Sequence, residues 1–172
     1  MTAFERPRQN GADPEPGYFQ ASALFNTALV SSSKRAHSEF VLLFDTSLSI
    51  RWDKLERQFE ALEKVLYHLQ PEDRFQLLLF NSKVAQFRPS TIPASRENVT
   101  AALDFVKRSF LLGGTDLKQA LQTALDQFQP QAGFTGRAVL ISDGNPTVGT
   151  LETKKLAQWF ASANTTASGP KL

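Results

Sequence analysis

Residues 40–50 read FVLLFDTSLSI, an apolar run that ends in one carboxylate, Asp45, and two hydroxyls, Ser47 and Ser49, at alternate positions. A turn alone does not need that regularity. Two further segments carry oxygen-bearing side chains at loop positions. Gly113-Gly114-Thr115-Asp116 precedes a helical pattern, and Asp143-Gly144 follows a second apolar run. Carboxylates, hydroxyls and waters suit hard cations of the Mg²⁺, Mn²⁺ or Ca²⁺ type. Neither Cys nor His stands beside these residues, which disfavours zinc. Two close carboxylates roughly balance a dication, while three neutral hydroxyls orient it without adding charge. Such a cation stays Lewis-acidic toward an outside anion.

For these segments to meet, the elements around them must deliver them to one place. In open α/β sheets that place lies beyond the carboxyl ends of the parallel strands, where strand order reverses. The continuous apolar run over 40–45 suits a strand covered on both faces. Apolar residues at helical spacing, Leu55, Phe59, Leu62, Val65, Leu66 and Leu69, predict a helix over 52–69, stopped by Pro71. A hairpin follows around the polar turn NSK at 81–83. Ser95 reads as the N-cap of a helix to about 110, and a further helix covers 116–128. RAVLIS at 137–142 is the next buried strand, and a last helix over 150–164 rests on Leu151, Leu156, Trp159 and Phe160. This order predicts an α/β fold: an open, mostly parallel, doubly wound (Rossmann-like) sheet with helices on both faces. Residues 1–38 read as a linker with one short strand candidate over 18–25, residues 39–164 as the domain, and residues 165–172 as a disordered tail.

A chain of 172 residues with 41% apolar content and 14 Phe can build one real core. Nineteen basic against seventeen acidic residues leave a net charge of +2, and the basic residues are scattered, which argues against nucleic acid as a partner. The absence of cysteine excludes a disulfide scaffold, a thiolate metal site and a cysteine nucleophile. No apolar run approaches a membrane span. The polar opening, MTAFERPRQNGADPEPG, is not a signal peptide.

DTSLS, GGTDL and SDGNPTVG together resemble the metal-ion-dependent adhesion site (MIDAS) of a von Willebrand factor type A domain. The resemblance runs over about 39–164. GYF, PEDRFQLLLFNS and DGNPTVG are similar to the inter-α-trypsin inhibitor heavy-chain subgroup, including bacterial relatives. It implies Asp45, Ser47, Ser49, Thr115 and Asp143 as the metal set, with hydroxyls binding directly and some carboxylates acting through water. It also implies a protein partner that presents a carboxylate to Mg²⁺, Mn²⁺ or Ca²⁺, and an extracytoplasmic location. Two departures stand out. Leu48 occupies a position where many relatives have Gly, and the family's last strands are expected to be missing. That would leave the strand over 137–142 as an exposed sheet edge, open to self-association.

Each piece alone has an ordinary explanation. Ser49 could cap the following helix, Thr115 could cap the next, and Asp143-Gly144 could be only a turn. Three such loops in the right order favour the metal site. Asp116 is placed outside the ligand set, behind it, because its helix-start role suffices. Asn145 and Pro146 read as loop-shaping, and His37 and His68 as solvent-facing residues without partners. Asp45, at a strand end, reads as lying outside the core. The expected function is a divalent-cation-dependent, adhesion-type binding module and not an enzyme. Alternatives are an intracellular module coupled to an ATPase partner, or a metal-dependent hydrolase. The hydrolase reading is weakened because no P-loop, Gly-x-Ser-x-Gly elbow or dinucleotide fingerprint occurs.

Overall fold

The computed structural model describes residues 2–3, 19–20, 37–50, 52–128 and 134–166, and the chain divides into two units, residues 1–35 and 36–172. In the first unit β1 (Thr2–Ala3) pairs antiparallel with β2 (Phe19–Gln20), and the rest of the strand candidate over 18–25 lies outside the described residues. Most of the expected linker lies outside the described residues, as do residues 167–172 of the expected tail.

The second unit is built on one sheet. Its elements are β3 (His37–Asp45), α1 (Trp52–His68), β4 (Arg74–Phe80), β5 (Val84–Gln86), β6 (Ile92–Pro93), α2 (Arg96–Lys107), α3 (Leu117–Gln127), β7 (Phe134–Ile141) and α4 (Thr153–Thr166). The strand order is β5-β4-β3-β7, with β6 also on β4. β3 runs parallel to both β4 and β7, while β5 and β6 run antiparallel to β4. The sheet is thus mostly parallel, as the alternation of elements predicts.

Side chains two apart on a strand share a face. Leu42 and Phe44 of β3 pack with Phe75, Leu77 and Leu79 of β4 against α1 and α2, through Leu62, Leu66, Val99 and Leu103. Val41 and Leu43 turn the other way and join Leu78 and Phe80 against α3 and α4, through Leu117, Ala120, Leu121 and Leu156. Each fully buried Leu or Phe contributes about 1.5–3 kcal/mol, so these two layers fix β3 rigidly at the centre.

Several boundaries differ from the sequence reading. β3 begins at His37 because the polar Ser38 and Glu39 are buried with partners: Ser38 N–H donates to Asp73 Oδ1 at 2.9 Å and Glu39 Oε1 accepts from Thr91 Oγ1 at 2.6 Å. β6 escapes the pattern because it is two residues long and ends in Pro93, which suits an edge. α4 starts at Thr153 and not 150, runs on through Thr166, and leaves Leu151 outside it and 56% exposed. β7 begins at Phe134 and has β3 on one side and, among the described residues, no strand on the other. Leu140 on this strand is exposed.

The topology also locates the switch point. The chain leaves β3 through α1 toward β4 on one side, and enters β7 on the other side after α3. The carboxyl end of β3 is where the connections diverge, as open α/β sheets require of a binding crevice.

Candidate functional site

Three loops meet at the carboxyl end of the sheet, and hydrogen bonds join each to the other two. Leu48 N–H donates to the Gly113 carbonyl at 3.1 Å, and Leu112 N–H donates to the Thr46 carbonyl at 2.9 Å. Thr147 and Val148 N–H both donate to the Thr115 carbonyl, at 3.0 and 3.1 Å, while Thr115 N–H donates to Thr147 Oγ1 at 2.8 Å. Ser142 Oγ closes the triangle by donating to Asp45 Oδ2 at 2.6 Å. Such bonds are worth about 1 kcal/mol net each, enough in sum to hold the loops in one arrangement.

Asp45 ends β3 and is fully buried, which corrects the expectation that it lies outside the core. Its Oδ1 accepts from Ser47 N–H at 2.8 Å, two residues on, and this local turn swings the chain out of the strand. The short bond from Ser142 to Oδ2 has the length of a charge-assisted contact. Ser47 is fully buried as well, and its Oγ lies 2.9 Å from Ser49 Oγ. The two alternate hydroxyls of the motif are therefore neighbours.

Thr115 is fully buried between Gly114 and Asp116, and its Oγ1 has no hydrogen-bond partner. Its backbone is clamped by three bonds, so the point from which the side chain springs is fixed. Among the described residues one other buried side-chain atom lacks a partner, Gln58 Oε1 on a longer and more adaptable side chain of α1. An unpaired buried hydroxyl costs about 1–3 kcal/mol, which a filled site would recover. Gly114 permits the clamp, since a Cβ there would stand 2.5 Å from Thr147 Oγ1.

Asp116 is the N-cap of α3, its Oδ1 accepting from Gln119 N–H at 3.0 Å. Thr115 is not the cap. Asp116 also abuts Gly149, whose φ of 72° and close approach to the carboxylate both demand glycine. Asp143, just past β7, pairs through Oδ2 with Lys54 Nζ at 3.2 Å, and its Oδ1 accepts from Asn145 N–H at 3.4 Å. The structure thus brings Asp45, Ser47, Ser49, Thr115 and Asp143 onto three joined loops, with Asp116 one residue behind. Sequence reading missed Ser142, Thr147 and Lys54. Ser142 was visible as the serine before Asp143-Gly144, but its partner ends the neighbouring strand, 97 residues away in sequence.

The histidines take no part. His37 sits at the start of β3, its ring 5.5 Å from Phe134, and His68 Nδ1 lies 2.6 Å from the Lys64 carbonyl, so neither lacks a contact. Among the described residues no group of three or more His, Cys, Asp or Glu could hold a metal. The oxygens that could do so here are two carboxylates supplemented by hydroxyls.

A sequence model described as the von Willebrand factor type A domain matches residues 40–145, a stretch that contains every one of these donors. The chain is 38% identical over 116 residues to inter-alpha-trypsin inhibitor heavy chain H4 of Homo sapiens, covering 63% of this chain and 12% of that protein. It is 32% identical over 123 residues to heavy chain H1 of Mesocricetus auratus, covering 67% and 14%. The chain therefore spans only a small part of the curated relatives it matches. Among solved structures, proximal thread matrix protein 1 from the mussel byssus, with a zinc-occupied MIDAS motif, superposes with a TM-score of 0.59 at 14% identity, over 74% of this chain and 36% of that one. The likeness in fold and the matched stretch agree: the chain belongs to the von Willebrand factor type A family, in the kind found in inter-α-trypsin inhibitor heavy chains.

Proposed function

We propose that this domain is a protein-binding module whose attachment to an acidic partner depends on a divalent cation held by Asp45, Ser47, Ser49, Thr115 and Asp143. The observation that carries this reading is the buried, unpartnered Thr115 Oγ1 on a clamped backbone. Its loop is bonded to the loop that presents Asp45 and Ser47. A polar atom kept unsatisfied inside a well-bonded structure is what a ligand site requires before it is filled.

The donor set fits a hard dication in charge and type. When bound, such an ion supplies Lewis acidity toward a carboxylate from outside. The chain's own part is to fix the oxygens: Ser142 and Ser47 N–H hold Asp45, while the Thr147 contacts hold Thr115. No histidine or further carboxylate among the site residues stands ready as a general base, which favours binding over catalysis. A protein partner is favoured by the apolar residues carried on the same loops. Leu48 is 62% exposed, Leu112 60% and Phe110 78%. Exposed apolar side chains on loops that bond to one another suit contact with a protein surface. Among the described residues no helix is long and apolar enough to cross a membrane. An extracytoplasmic location is proposed on the family resemblance.

The test has two stages. Calorimetric titration of metal-stripped protein with Mn²⁺, Mg²⁺, Ca²⁺ and Zn²⁺ should give one site, zinc being included because a structural neighbour carries it. Display of random peptides against the Mn²⁺-loaded protein should then select sequences containing Asp or Glu. Their binding should vanish in EDTA and on conversion of the acid to its amide. Chelator-insensitive peptide binding would sink the bridge. Turnover of a phosphoester or peptide that Asp143→Ala abolishes would instead support the hydrolase reading.

A further inference from the structure

Lys54 lies in the first turn of α1, nine residues after Asp45, so one continuous segment carries Asp45, Ser47, Ser49 and this ammonium. Its Nζ stands 3.2 Å from Asp143 Oδ2, bridging α1 to the loop after β7. The Asp143 side chain is 17% exposed and the Lys54 side chain 51%. An ion pair this open adds little to stability. Its electrostatic consequence for the site is larger, because Asp143 has its other oxygen engaged by Asn145 N–H. Each oxygen of that carboxylate thus has one partner within the chain.

We propose that Lys54 is a resident counter-cation that competes with the incoming dication for Asp143 and so sets the affinity of the site. This rests on the cation site proposed above. A dication drawing on Asp143 must either displace the ammonium or share the carboxylate with it, and in both cases the positive charge of Lys54 opposes binding. Through water-like surroundings, one unit charge about 6–10 Å from a dication shifts its affinity by about 3- to 10-fold. The shift should fade as salt is added, since exposed charges are screened over about 10 Å at 0.1 M.

Mn²⁺ titration of the metal-stripped protein at low ionic strength tests this directly. Lys54→Met should bind Mn²⁺ about 3- to 10-fold more tightly than the unmodified protein. Lys54→Gln gives a second neutral variant should the apolar one misfold. Lys54→Arg keeps the charge and should bind no more tightly than the unmodified protein. Lys64→Met removes the same charge about 15 Å further along α1 and should change little. Equal or weaker Mn²⁺ binding in both neutral variants, with the unmodified protein still binding, overturns the competition and leaves the cation site standing. Binding by the neutral variants alone would be its strongest support. If neither they nor the unmodified protein bind Mn²⁺, the site and the competition fall together.

Discussion

At the amino end of the sheet, Asp73 is buried and accepts from Ser38 N–H at 2.9 Å and Gln70 N–H at 3.0 Å. Beside it Glu39 is held by Thr91, and Gln76 donates to the Arg88 carbonyl while its Oε1 accepts from Leu77 N–H. At the carboxyl end Asp45, Ser47 and Thr115 are buried just as deeply, yet Thr115 Oγ1 has no partner and the two serine hydroxyls have each other. The amino end even offers a cleft of about 220 Å³ lined by Glu39, Arg74, Thr91 and Asp126. Burial of polar atoms and the presence of a cavity therefore do not tell the two ends apart. The unsatisfied Thr115 Oγ1 does, because a buried polar group without a partner costs free energy.

If the amino end is purely structural, breaking it should cost stability and leave cation binding alone. Asp73→Ala strips the acceptor from two backbone N–H groups, one of them buried, and should lower unfolding free energy by about 2–4 kcal/mol. Urea unfolding reads the loss, and Mn²⁺ calorimetry on the folded fraction should give the original affinity. A large drop in Mn²⁺ affinity would mean that the two ends are coupled and the contrast between them is false.

The corresponding change at the other end should reverse that balance. Asp45→Asn retains an acceptor for Ser47 N–H and can still meet Ser142 Oγ, so its stability cost should be about 1 kcal/mol. Cation affinity should fall by more than the ~10–100-fold that loss of an outer partner costs. Asp45→Ala is the poorer probe, since the buried carboxylate supports its loop and its complete removal mixes folding with binding. Unaltered Mn²⁺ binding in the Asn variant would take Asp45 out of the ligand set.

The contrast between the ends was only half legible in the sequence. Continuous apolar runs at 40–45 and helical spacing over 52–69 dictate the central strand and its helix, and both are present as β3 and α1. The oxygen donors after β3, before α3 and after β7 stood out because their types recur at strand ends and helix starts. What could not be read were interactions whose partners lie far along the chain. Ser142 reaches Asp45 across 97 residues and Lys54 reaches Asp143 across 89. The same limit hid the amino end, where Ser38 read as linker and Glu39 stood just ahead of the expected strand, their partners Asp73 and Thr91 lying far along the chain. Leu151 failed in the opposite sense: it fits an apolar helical stripe but precedes α4 and faces solvent.

The smallest expected change in stability is also the most discriminating. Thr115→Val keeps the shape of the side chain and deletes only the Oγ1 that lacks a partner. Removing a satisfied buried hydroxyl from such a position destabilises, whereas removing an unsatisfied one relieves a desolvation cost. In EDTA the Val variant should therefore be unchanged or up to about 1 kcal/mol more stable. Its Mn²⁺ affinity should nevertheless fall by about 10-fold, an opposition between stability and function that marks a binding residue. Chemical unfolding in EDTA and Mn²⁺ calorimetry supply the two readings. A stability loss of about 1 kcal/mol or more would show that Oγ1 has a partner in the free protein, in which case the two ends of the sheet are alike. Full Mn²⁺ affinity would remove Thr115 from the site while leaving Asp45 and the serines in it.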